Sequence, residues 1–167
     1  MLPHLQHYIH QVLPPHRRQL FTSDLNHLYA GIELTETEEL SLYQAFGRYG
    51  IQPYSNYLLQ KGRYEEWAAF HQMNPSSIPY LESIGLKQVV AEKPAAVLPL
   101  YHHYAMEEIR QKSRMNYKQA VRIWKQMKSA AKKAGKTAYF ENYIETVRTQ
   151  YKRLRALQEE LDKAQLH

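Results

Sequence analysis

Proline and glycine punctuate this chain at short intervals, and almost nothing between them reads as a strand. No alternating run of β-branched residues occurs, and neither an Asn-Gly nor an Asp-Gly hairpin turn is present. Between the punctuation marks, apolar residues recur at i, i+3, i+4 and i+7, the period of one helix face. That pairing predicts an all-α fold of stacked antiparallel helical hairpins, an α-solenoid of tetratricopeptide-like layout, ending in one long C-terminal helix.

The breakers place the elements. Helices are predicted over Pro3 to Leu13, His16 to Tyr29 and Glu36 to Phe46, the last opened by a Thr35/Glu38 capping box. Pro53 suits the first turn of a further helix. "RYEEWAAFHQM" follows, closed by Asn74-Pro75; Pro79 opens a short helix to Ile84, and "LKQVVAEK" is a two-turn piece. Pro94 begins a helix to about Lys112. An Asn116/Gln119 capping box starts another, which stops at Gly135. The final helix runs from near Thr137 to about Gln165, more than about 40 Å at 1.5 Å per residue. "QKGRYEEW" resembles the inter-helix turn of a tetratricopeptide unit and "KAGKTAYF" echoes it, but the rest of that repeat does not follow. The whole is read as one helical domain over 1–167, with a looser internal boundary near 75–93.

Length and composition narrow the class. A chain of 167 residues is long enough to bury a sizeable core. Without cysteine it has no disulfide, no cysteine-bound zinc and no thiol nucleophile. No run approaches the roughly 18 apolar residues of a membrane span, and "MLPHLQHYIHQVLPP" is no secretory signal. The expectation is a cytoplasmic protein with no membrane partner.

Charge is unevenly distributed. Residues 1–100 carry 7 Lys/Arg against 9 Asp/Glu, whereas residues 101–167 carry 15 against 7. From Arg110 to Lys136 there are ten Lys/Arg and no acid. The stretch is amphipathic: Tyr117, Ala120, Val121, Trp124, Met127, Ala131 and Ala134 share one side and the cations occupy others. Like charges at i, i+4, such as Lys118/Arg122 and Lys128/Lys132, oppose each other. A solvated face balanced by acids such as Glu107, Glu108, Glu141 and Glu145 is the preferred reading. The alternative is phosphate contact by Arg114, Lys118, Arg122, Lys125, Lys128, Lys132, Lys133 and Lys136. An acidic protein surface is a third.

Other residue types point to structure rather than chemistry. Tyr139, Tyr143 and Tyr151 lie near the apolar stripe of the last helix, so core packing outweighs base stacking. His4 and His7 share a helix face while His10 drifts away, and adjacent His102 and His103 diverge, so no metal site is expected. Glu38/Glu39, Glu65/Glu66 and Glu159/Glu160 are sequence neighbours and diverge on a helix. No nucleophile elbow, phosphate-binding loop or dinucleotide fingerprint occurs. Neither an enzyme nor a cofactor is expected.

The last third carries "YKQAVRIWK" at 117–125 and "RLRALQEEL" at 153–161. These resemble the C-terminal helical segment of bacterial SWIM-type zinc-finger proteins, with its Y-K-x-A-V-R-x-x-K helix and later R-L-R-A-x-Q-E-E-L run. The likeness covers residues 113–166, and 50–112 more loosely. The family's C-x-C…C-x-H zinc motif has no counterpart in a chain without cysteine, so no metal-binding residue carries over. The resemblance implies the helical tail of a larger protein whose zinc module contacts DNA or protein partners. The expected function is a non-catalytic interaction module for a protein partner or for the parent's remaining domains, with nucleic acid as the alternative partner.

Overall fold

A computed structural model describes residues 50–167, and these are helical with no strand among them. The all-α class is therefore the observed one. The helices predicted over Pro3–Leu13, His16–Tyr29 and Glu36–Phe46, with His4, His7 and His10, lie outside the described residues. The chain divides into two compact units, Met1–Gly62 and Arg63–His167.

In the first unit the described element is α1, Ile51–Gln60. Pro53 stands in its first turn, where no helical N–H is required. Pro53, Ser55, Tyr57 and Leu58 are buried. The Lys61 ammonium lies 5.9 Å from the Tyr57 ring centre.

The second unit runs α2 (Tyr64–Met73), α3 (Ile78–Ile84), α4 (Leu86–Glu92), a 3-10 turn (Pro94–Val97), α5 (Leu98–Arg110), α6 (Arg114–Lys133), α7 (Thr137–Gln150) and α8 (Arg155–Lys163). Helix α6 lies at its centre: α5, α7, α8 and the 3-10 turn all pack on it. Trp67, Leu81, Leu86, Leu100, Trp124, Met127, Ile144, Leu157, Leu161 and Leu166 are the largest fully buried side chains. Tyr104 ties the α5 side together. Its hydroxyl donates to the His71 carbonyl at 2.9 Å and accepts from the Ser76 amide at 3.0 Å, fixing the loop after α2.

Three boundaries differ from the sequence reading. The predicted Pro94 helix opens as a 3-10 turn before α5 begins at Leu98. Helix α6 starts one turn earlier than the Asn116 box implies. Ser113 is its N-cap and accepts from the Asn116 amide at 3.2 Å. Asn116 Nδ2 is turned instead to Glu108 of α5, at 2.6 Å.

The third difference is the largest: the long C-terminal helix does not exist. The chain leaves helical geometry after Gln150 and resumes at Arg155. No glycine or proline marks the break. Side chains make it. Gln158 Nε2 donates to the carbonyls of Arg148 (3.3 Å) and Tyr151 (3.0 Å), satisfying acceptors that a continuing helix would have used. Arg148 Nε donates to the Leu166 carbonyl at 2.7 Å. Leu157, Leu161 and Leu166 are thereby buried. Helix α8 folds back onto α6 rather than extending into solvent.

Candidate functional site

The site is the solvent side of α6. Its sequence explains its stiffness. Ser113 caps the start, and Gly135 (φ +69°) ends it, with Lys136 N–H to Ala131 O at 2.8 Å and Gly135 N–H to Lys132 O at 3.2 Å. That is the paired hydrogen-bond pattern of a left-handed C-terminal cap. One face is inward: Tyr117, Ala120, Val121, Ile123, Trp124, Met127, Ala130 and Ala131 are buried.

All eight nominated cations are exposed: Arg114, Lys118, Arg122, Lys125, Lys128, Lys132, Lys133 and Lys136. At the helical repeat, Arg114, Lys118, Arg122, Lys125, Lys132 and Lys133 fall within an arc of about 100°. Lys128 and the buried Val121 mark one edge of that arc. Lys136 follows just past the cap.

Their electrostatic partners separate them into two groups. Arg114 is clasped by α8: Nη2 meets Glu159 Oε2 at 2.6 Å and Nη1 meets Glu160 Oε1 at 3.1 Å. Glu160 is itself buried and also receives Lys163 at 3.4 Å. Burial would raise its carboxyl; the hydrogen bonds and charges of Lys163 and Arg114, with Lys118 nearby, outweigh that and hold it below the usual carboxylate value. The first turn of α6 has no acid of its own, so α8 supplies the negative charge that a helix N-terminus favours. The other seven cations form no ion pair among the described residues.

Of the acids named as balancing the basic run, Glu107 reaches one of its cations, at the edge of the run, and none pairs with the eight cations of the site. Glu107 pairs with Arg110 at 2.6 Å and Glu108 binds Asn116. Glu145 lines an open groove with Arg148, Thr149 and Lys152. Glu141 comes nearer: it borders a cavity of about 100 Å³ with Lys128, Lys132, Phe140 and His167, without pairing with either lysine.

Beneath the face, Trp124 Nε1–H donates to the Tyr143 hydroxyl at 3.0 Å, and that hydroxyl lies 2.6 Å from His102 Nδ1. The hydroxyl thus accepts from Trp124 and shares a second hydrogen bond with His102 Nδ1, whose direction follows the imidazole tautomer. Burial pushes Tyr143 up to about 12, and burial with the neighbouring His103 pushes His102 below its ordinary value. The triplet is a neutral strut joining α5, α6 and α7. His103 meets Tyr104 edge-on instead, and no group of three metal-ligating side chains occurs among the described residues.

Sequence reasoning missed the Arg114 clasp. Val147, Tyr151, Leu154 and Leu161 keep helical spacing straight through the break, so nothing in the apolar pattern signalled that Glu159 and Glu160 return to α6. The signal available was Gln158, a side chain able to cap a helix from outside.

Among the described residues, fold and surface together define an all-α arrangement with an exposed cationic face on α6. No helix among the described residues is long and apolar enough to cross a membrane. No family model matches the chain, and no solved structure gives a significant match. The chain is similar to YwqB of Bacillus subtilis (strain 168), an uncharacterized protein: 38% of 135 aligned residues are identical, covering 78% of this chain and 25% of YwqB. The chain thus spans about a quarter of the length of the curated relative it matches.

Proposed function

We propose that this chain is a non-catalytic helical module of a larger, SWIM zinc-finger-like protein, and that the α6 face binds nucleic-acid phosphates. The observation that carries it is the set of seven exposed cations strung along α6 and its cap with no ion-pair partner among the described residues: Lys118, Arg122, Lys125, Lys128, Lys132, Lys133 and Lys136. Such a row is self-repelling unless an anion lies along it. An apolar docking site has less support. The exposed large apolar residues Met73, Tyr80, Met115 and Tyr139 sit on four different helices, α2, α3, α6 and α7.

The test is binding of labelled nucleic acid by the whole chain at about 50 and 200 mM salt, with the triple variant Lys125→Gln/Lys128→Gln/Lys132→Gln beside it. The expected outcome is binding that weakens steeply with salt, and at least a tenfold loss in the triple variant. No binding at the lower salt sinks the proposal.

A second reading concerns the parent protein. The aligned relative is far longer than the matched segment, which supports packing of this stacked-hairpin module against the parent's other domains. Co-purification of the separately expressed remainder of the parent with this chain, lost in high salt, is the outcome that reading expects.

A further inference from the structure

We infer that the α6 face takes double-stranded rather than single-stranded nucleic acid, and grips it through the backbone without reading bases. This rests on the phosphate-binding reading above.

Single strands are held largely by stacking unpaired bases on aromatic side chains. Helix α6 offers none: its own aromatics, Tyr117 and Trp124, point into the core at 6% and 0% exposure. Within the cationic arc ammonium and guanidinium face solvent with Ser129, and Met115 stands at its edge; the exposed Gln119 and Gln126 lie just beyond it at the helical repeat. Gln126, the type of side chain that reads adenine, is turned toward Glu82 at 3.5 Å. Tyr139, in the first turn of α7, is the exposed aromatic next along the chain from this face.

Charge density favours the same partner. A duplex carries one negative charge per about 1.7 Å of axis, a single strand one per about 3.4 Å. Lys118 to Lys133 spans about 22 Å at the helical rise. A straight row of that length faces roughly 13 duplex charges, but about half as many on one strand. The row is also stiff: it is capped at both ends, and α5, α7 and α8 pack against the helix. A stiff partner lies along it without first being straightened, whereas a flexible strand loses conformational freedom in doing so.

The experiment titrates the full chain against a DNA duplex of about 20 base pairs, the RNA duplex of the same sequence, and each separate strand, by fluorescence anisotropy at about 50 and 200 mM salt. At least one duplex should bind tenfold or more tighter than its strands, with log K falling against log salt at a slope of about −6. The tighter duplex identifies the source of the phosphates. A duplex of unrelated sequence should bind within twofold, and Tyr139→Ala should leave duplex affinity unchanged within twofold. Strands binding as tightly as the duplexes, or a fivefold or greater loss on Tyr139→Ala, overturns this inference and leaves phosphate binding standing. If no nucleic acid binds at the lower salt, both readings fall together.

Discussion

The two ends of α6 carry the same kind of side chain and use it differently. At the N-terminal end Arg114, though exposed, is held by Glu159 and Glu160 of α8. At the other end Lys128, Lys132, Lys133 and Lys136 meet no ion-pair partner among the described residues. A run of ten cations in sequence is therefore not one surface. It is a structural contact at the start and an exposed ridge thereafter, and the difference is made by where α8 lands.

The largest expected effect removes the support common to both ends. Trp124→Ala leaves a cavity under the middle of the helix and deprives Tyr143 of a donor, so stability should fall by about 3–5 kcal/mol in a denaturant titration. A loss below about 1 kcal/mol would mean that α6 does not depend on its buried face, and the two-ended picture would break.

Acid comes next, and it acts through α2 rather than α6. Burial pushes His71 of α2 down to about 4 from an unfolded value near 6.5. Between those values the unfolded chain binds the extra proton and the folded one does not. Stability is therefore full above about pH 6.5 and falls as pH drops toward 4, by at most about 3 kcal/mol. His102 acts in the same direction. Melting temperature measured across pH 4 to 7 should show the decline, and His71→Phe should flatten part of it. A profile that rises on acidification would contradict the burial of His71.

Smaller again is the cap. Ser113→Ala removes the acceptor for the Asn116 amide and should destabilise by about 1 kcal/mol. The loss should be seen in hydrogen exchange at the first turn of α6 and not near Gly135. Equal loosening at both ends would show that the helix frays as a unit.

The finest test compares single cations. Lys132→Gln should lower the salt slope of nucleic-acid binding by about one, whereas Arg114→Gln should leave it nearly unchanged. Conversely, Glu159→Gln/Glu160→Gln should free Arg114 and steepen the slope by about one. If Arg114 and Lys132 prove equivalent, the clasp does not divide the helix.

Much of this was legible in the residues. Breakers at Pro53, Pro79, Gly85, Pro94 and Gly135 sit at or within a turn of element boundaries, because missing N–H groups and positive φ are local properties. The buried stripe of α6 follows the helical period that Tyr117, Trp124 and Met127 mark out. The same period misled at the C-terminus: an apolar pattern in helical register fits one long rod and two folded-back helices equally. The balance around the basic run was only partly legible: Glu107 pairs with Arg110 as the sequence suggested, whereas Glu108, Glu141 and Glu145 make no ion pair with the run among the described residues, and Arg114 is held by Glu159 and Glu160.

By itself, then, the sequence determined the helical class, the inward face of α6 and the surplus of positive charge, all of which follow from side-chain chemistry repeated at a fixed pitch. The tertiary structure alone decided which cations are consumed and which remain outward. That outcome turns on Gln158 and Arg148 capping carbonyls across the break after Gln150. A hydrogen bond between residues distant along the chain leaves no period for a sequence to display.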